Sequence, residues 1–366
     1  HMTIEVPYSW PVALHPDVQL IPRSENVVDA VRDDHVARVL SVNSGLPAVL
    51  HRLMREQPLS SFLEANRAEG FLDAASADVL AQLGRGGALR RLAQPGFGAG
   101  ELRDFEREIG ALSRHETAEI SRFQLFARVR SAHVIVIGAG LNGANVIQHL
   151  AASGVGNITV VDPASIERGQ SGRHPWFGRG DVGRSKAERI VEHIAALTPY
   201  TRARAVVSSV DSEAGLEALL SDHPRIDALV YTCDRNLDFG VWAARQARAR
   251  SFALLRVNRI VVGPLYRPEH GDACPGCIYP RLERGIRDLT TVNALGVTAR
   301  DSTASLWSPE LSAFGALAAQ ELIHCLAGVG RLDTVGQQVG PNPRGAHDVI
   351  KPFPRDVACP ACGDSC

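Results

Sequence analysis

The segment "VIVIGAGLNGANVIQHLAASGVGNITVVD" (residues 134–162) decides the fold. A short apolar, β-branched run ends on Gly138, glycine recurs at Gly140 and Gly143, and a helical pattern follows. The next apolar run, "ITVVD", closes on Asp162. In this order of strand, glycine turn, helix and strand, backbone N–H groups at the helix start can cradle phosphates. The acidic residue then falls where a ribose hydroxyl would lie. On these residues alone a dinucleotide such as NAD fits, and the plain alternative is a tight turn that binds nothing.

Beyond Asp162, the apolar runs "ALVYTCD" (228–234) and "FALLRVN" (252–258) alternate with helical segments. The expected class is therefore α/β, with a Rossmann-like, mainly parallel sheet covered on both faces. Toward the N-terminus, "GRGGALRRLAQPGFGAG" (84–100) concentrates glycine and proline as a domain boundary would. Before it, residues 18–40 read as a small antiparallel meander, and 45–56 and 59–73 show helical patterns, the second ending on Gly70 before a short apolar stretch. The expectation is an α+β, winged-helix-like domain over 3–85, a linker with helices over 86–130, and a nucleotide domain over 131–366.

A chain of 366 residues suits two domains. Its net charge of −1 gives no electrostatic basis for nucleic acid as a partner, and the helices of the first domain are net acidic. No apolar window reaches the roughly 18 residues of a membrane span, and no leader pattern precedes the first domain. A cytoplasmic protein is expected. Among 39 basic residues only Lys186 and Lys351 are lysines, so a compact ammonium at Lys186 stands out against a background of arginine.

The stretch "GRHPWFGRGDVGRSKAE" (172–188) places Arg173 and Lys186 just after the adenosine-binding half. A nicotinamide enzyme needs no such cations, whereas a triphosphate with Mg²⁺ does, because charge must be neutralised as pyrophosphate leaves. Asp234, at the carboxyl end of a later strand, is placed to hold that magnesium. Taken singly, Arg173 and Lys186 read as solvated charges and Asp234 as a helix N-cap; as an ordered set they point to ATP. His149, His193 and His324 lie within helical patterns and form no base constellation, and His174, beside Arg173, is the one histidine that stands apart.

Two C-x-x-C pairs, Cys274 with Cys277 and Cys359 with Cys362, read as one tetrahedral Zn²⁺ site that clips the tail to the nucleotide domain. Cys325 is expected in the core of an apolar helix, Cys233 packed at a strand end, and Cys366 at the tail. The loop 279–309 contains no cysteine.

"GVGNITVVD", "SGRHPWF", "DVGRSKAE" and "TCDRN" resemble, in order, the motifs of adenylating enzymes related to the ubiquitin-activating and sulfur-carrier-activating families, the ThiF/MoeB type. The resemblance runs from about residue 132 to 362. It implies ATP bound by Gly138, Gly140, Gly143 and Asp162, with Arg173 and Lys186 on the phosphates and Gln170 in place of a usual asparagine. Asp234 would serve Mg²⁺, and a homodimer would form in which Arg173 acts across the interface. The sequence departs from that pattern at Leu141 and Asn142, where the middle of the turn usually reads G-G, and at Ala164, where a second acid is expected.

"VVGPLYRPEHGDACPGC" (261–277) resembles the branch that makes microcin C and the thiazole- and oxazole-forming peptide pathways. That branch implies adenylation of a ribosomally made precursor peptide, whose leader is captured by the N-terminal domain as an added strand. The missing loop cysteine argues against thioester or persulfide chemistry. Two alternatives remain open: a degenerate scaffold delivering the leader peptide to a partner cyclodehydratase, and a nicotinamide or flavin oxidoreductase.

Overall fold

The structure, a computed structural model, describes residues 11–14, 18–32, 35–55, 57–85, 88–91, 96–117, 120–172, 174, 176–232, 238–257, 261–278, 308–341, 347–352 and 354–363. The chain forms two compact units that divide between Arg128 and Val129.

In the first unit, β1 (Pro11–Leu14) lies between the short β5 (Gln57–Pro58) and β6 (Leu89–Arg91). The expected meander forms as β2 (Gln19–Ser24), β3 (Val27–Arg32) and β4 (His35–Leu40), all antiparallel. Alternation along β3 sends Val28 and Ala30 inward to meet Val39, Leu50, Phe62 and Val79 in one apolar core. Between them Asp29 accepts hydrogen bonds from Arg38 and Arg23, which hold its carboxyl down at about 2. The helix expected to end on Gly70 is Leu59–Ala68, with Gly70 at φ +84, and a new helix, Asp73–Arg85, begins at its acidic first residue. From that helix the Gln82 amide hydrogen-bonds both the N–H and the carbonyl of Leu40 at 2.8 Å, on the free edge of β4.

The second unit is built on an eight-stranded sheet. Its strands are β7 (His133–Ile137), β8 (Asn157–Val161), β9 (Arg202–Val206), β10 (Ala228–Tyr231), β11 (Ala253–Val257), β12 (Val262–Tyr266), β13 (Gln337–Pro341) and β14 (His347–Pro352). The order is β14-β13-β12-β11-β10-β7-β8-β9, parallel from β11 to β9 and antiparallel from β12 to β14. In β7, Val134, Ile135, Val136 and Ile137 are all buried, as a strand covered on both faces requires. Each such side chain contributes about 1.5–3 kcal/mol. Helix Phe239–Arg250 packs Phe239, Ala243 and Ala247, four apart, against Leu229, Tyr231 and Leu254, and stops where Ser251 takes φ 57. Among the described residues no helix is long and apolar enough to cross a membrane.

After β7 the chain builds outward through β8 and β9, then returns to lay β10 on the other side of β7. The carboxyl ends of β7 and β10 are thus the point where the winding reverses, and there an open α/β sheet leaves a crevice for a ligand.

Candidate functional site

The glycine turn sits in that crevice. Gly138 follows β7 with φ +98, and its N–H donates to Val161 O at 2.8 Å. A methyl at Gly143 would stand 1.9 Å from Gly138 O, and one at Gly138 would meet Thr232 Oγ1 at 2.2 Å. These two glycines therefore answer to packing between strand and helix. Gly140 differs: it has ordinary φ −66 as the N-cap of helix Leu141–Ala152, and no atom lies within 4 Å of where its Cβ would be. The space above Gly140 is open at the helix start, where a phosphate chain can approach the backbone. Thr232, which the sequence analysis did not single out, ties the ends of β7 and β10 together: its N–H donates to Ile137 O and its Oγ1 to Gly138 O. It opens the "TCDRN" stretch, but this tie follows from strand order and not from the motif.

Asp162 closes β8 with its side chain turned to the turn, accepting from Ala139 N–H at 2.7 Å and from Ala164 N–H at 2.8 Å. Ala164 thus buttresses Asp162 with its backbone. Gln170 is half-buried and turns its Oε1 to Glu167 N–H. Leu141 and Asn142 form the first residues of the helix, and Leu141 O accepts from Asn145 Nδ2.

Lys186 opens helix Lys186–Leu197 behind its N-cap Ser185, and its own N–H donates to Ala164 O. The residue is only 8% exposed, and among the described residues it has no carboxylate partner. The segment leading to it is pinned by Asp181, which accepts from Gly178 N–H and Arg189; these bonds, the first above all, lower its pKa. Arg173 and Asp234 lie outside the described residues, as do Cys233, Cys366 and the loop 279–307.

The two C-x-x-C pairs come together. Cys274, Cys277, Cys359 and Cys362 are buried, with their sulfurs all within 4.8 Å of one another and neighbouring pairs at 3.4, 3.5 and 3.9 Å. A tetrahedron of thiolates around Zn²⁺ has sulfurs about 3.8 Å apart, from a Zn–S bond of about 2.3 Å. The N–H groups of Asp356 and Ala361 point to Cys277 and Cys359 Sγ, the second-sphere pattern of a metal knuckle. Cys325, expected in the core, is half-buried and lines a 330 Å³ cavity with Phe252, Arg267 and His324; burial pushes its thiol up to about 11. It sits near the C-terminal end of its long helix, where cover from neighbouring elements is incomplete.

The family model for the ThiF family matches residues 112–361. The chain belongs to the ThiF family. Among curated ThiF-type relatives, the probable adenylyltransferase/sulfurtransferase MoeZ of Mycobacterium tuberculosis is 40% identical over 102 residues, 26% of either chain. The chain therefore spans about a quarter of that relative's length. Molybdopterin-synthase adenylyltransferase of Escherichia coli is 29% identical over 209 residues, 56% of this chain and 76% of the relative. In structure the chain resembles E. coli MccB, solved with ATP, at TM-score 0.70 and 17% identity, over 96% of this chain and 100% of MccB. MccB solved with N-formylated MccA, and described as a microcin C7 biosynthetic enzyme, is similar at TM-score 0.69 and 16% identity over 96% and 100%. At these identities the likeness is one of fold.

Within this ThiF domain His174 is 5% exposed and stacks on Phe177 at 4.0 Å. Burial first, then the charges of Lys186 and His193, push it down from 6.5 to about 4. The unfolded chain thus takes up this proton below about pH 6.5 and the folded chain only below about 4, so folding weakens as pH falls through that window. Between pH 7.5 and 5 the expected loss is about 2 kcal/mol. Urea titrations of wild type and His174→Gln at the two pH values should show a shallower loss in the variant; equal losses would contradict the assignment. His133, His149 and His223 are lowered by burial too, so some acid sensitivity remains. His193 is bonded through Nε2 to Trp176 O at 2.5 Å.

Proposed function

We propose that this protein uses Mg-ATP to adenylate a carboxylate of a ribosomally made precursor peptide. One observation carries the reading: Lys186, a residue only 8% exposed, lacks a carboxylate partner among the described residues, and the glycine turn nearby stands open over Gly140. A cation on a largely covered residue with no counter-charge is costly, and a bound polyphosphate supplies that counter-charge. NAD, with one pyrophosphate, needs less. The adenylyltransferase names of the curated relatives and the fold likeness to MccB, solved with ATP, support the same reading.

In this proposal Gly138, Gly140 and Gly143 shape the turn around the phosphates, Asp162 accepts from the ribose, and Gln170 lies alongside. Arg173 and Lys186 stabilise the charge that develops as a carboxylate oxygen attacks the α-phosphorus and the bond to pyrophosphate breaks. The carboxylate is already a nucleophile, so no general base is required. Asp234 would hold Mg²⁺, which neutralises the phosphates when bound. The four thiols would hold Zn²⁺ with no open coordination position, a structural role.

The first unit would capture the leader peptide along β4. Gln82 supports this use of the edge, because its amide makes with Leu40 the pair of bonds an added strand would make. A homodimer in the cytoplasm, with Arg173 acting across the interface, completes the proposal. The scaffold reading, in which ATP is not used and a leader is passed to a cyclodehydratase, is favoured only by Leu141, Asn142 and Ala164.

Mg-ATP titrations of wild type, Lys186→Met and Asp234→Ala separate the two. Adenylation predicts that Asp234→Ala weakens binding at least tenfold, about 1.4 kcal/mol, and Lys186→Met about a hundredfold. Affinities within twofold of wild type would remove both residues from the site.

A further inference from the structure

His174 is a buried polar group that the proposed chemistry leaves unused. Its ring is fixed on two sides: it stacks on Phe177 with planes 17° apart, and its Nδ1 accepts from Trp176 N–H at 3.3 Å. With Nδ1 accepting, the proton of the neutral ring stands on Nε2. That nitrogen is buried and has no hydrogen-bond partner. The Gly140 backbone lies close enough to the ring to favour its protonated form, and Lys186 is close enough for its charge to act on it. A buried donor left without an acceptor is destabilising, and such orphans are rare in folded proteins. Its ring stands beside Gly140, the glycine of the turn that stands open to a ligand.

We propose that His174 is a further nucleotide-binding residue, donating its Nε2 proton to a phosphate oxygen of ATP held beside Gly140. The inference rests on the nucleotide reading given above. The ring works as a neutral donor: with its pKa held at about 4, it adds a directed hydrogen bond without repelling Lys186. The division of labour is then geometric, with Lys186 supplying charge and His174 direction.

The test is calorimetric titration of Mg-ATP and of adenosine into wild type, His174→Gln and His174→Phe. Glutamine keeps an N–H donor, whereas phenylalanine keeps a flat ring to stack on Phe177 and has no donor. His174→Phe should lose about tenfold in ATP affinity and His174→Gln stay within threefold of wild type, while adenosine binds all three alike. An ATP affinity of His174→Phe within twofold of wild type overturns the proposal, and so does an equal loss for ATP and adenosine, which marks a purely structural role. Wild type that binds no ATP defeats the nucleotide reading itself, a different outcome from wild-type binding that the substitution leaves alone. Should His174→Phe fold poorly, ¹⁵N-histidine spectra of the wild type decide: the His174 Nε2 signal must move with Mg-ATP and not with adenosine, and its failure to move overturns the assignment.

Discussion

Gly140→Ala will fold with the thermal midpoint of the wild type and lose Mg-ATP affinity at least tenfold, whereas Gly143→Ala will be destabilised whether or not a nucleotide is present. The two glycines stand three residues apart in one motif, yet a methyl meets 1.9 Å from Gly138 O at Gly143 and open space at Gly140. The first clash forces strand and helix apart, at a cost of about 3 kcal/mol, which lowers the midpoint of a domain this size by roughly 6–12 °C. At Gly140 an alanine has φ −66 to sit in and nothing to strike, so any loss it causes must come from the ligand that fills that space. Differential scanning fluorimetry with and without Mg-ATP reads both effects. Undiminished ATP binding by Gly140→Ala would mean that the phosphates lie elsewhere.

Removing the proposed metal should have the other large effect. Cys359→Ser, or a strong chelator on the wild type, is expected to lower the thermal midpoint by at least about 6 °C and to release one zinc per chain by elemental analysis. The four thiols are gathered from residues far apart in sequence, between a loop after β12 and the C-terminal segment, and they lie within the same apolar cluster as Leu254, Phe239 and Tyr266. Without an ion, Arg248 still ties the C-terminal segment to the domain by donating to Gly363 O, whereas Arg355 donates to Cys362 O within that segment. A protein that is metal-free as purified and unmoved by the substitution would make the cluster a set of packed thiols.

These features differ in how far the sequence alone reveals them. The strand 133–137, its turn and the next helix are legible because a fully buried strand writes an unbroken apolar run and the turn needs glycine at fixed offsets. The two C-x-x-C pairs are legible because thiolate geometry restricts their spacing. The antiparallel end of the sheet is not: "VGPLY", "QQVGP" and "HDVIKP" carry glycine, proline and charge that look like loop until each pairs with the strand before it in the sheet, from β11 outward. The end of helix 59–68 is legible because Gly70 interrupts apolar spacing that otherwise carries through Phe71. Lys186 and His174 stand out in the chain as residue types, but their burial does not, since "GRHPWFGRGDVGRSKAE" is polar nearly throughout. Their seclusion comes from the way Asp181, Trp176 and Phe177 fold that stretch over the turn.

The most direct measurement is a calorimetric titration of zinc-loaded wild-type protein with Mg-ATP and, separately, with NAD. A triphosphate site built from an open glycine turn and a buried lysine predicts micromolar ATP binding that depends on magnesium, with NAD at least a hundredfold weaker. No detectable ATP binding by the folded protein, or NAD binding as tight as ATP, would contradict it.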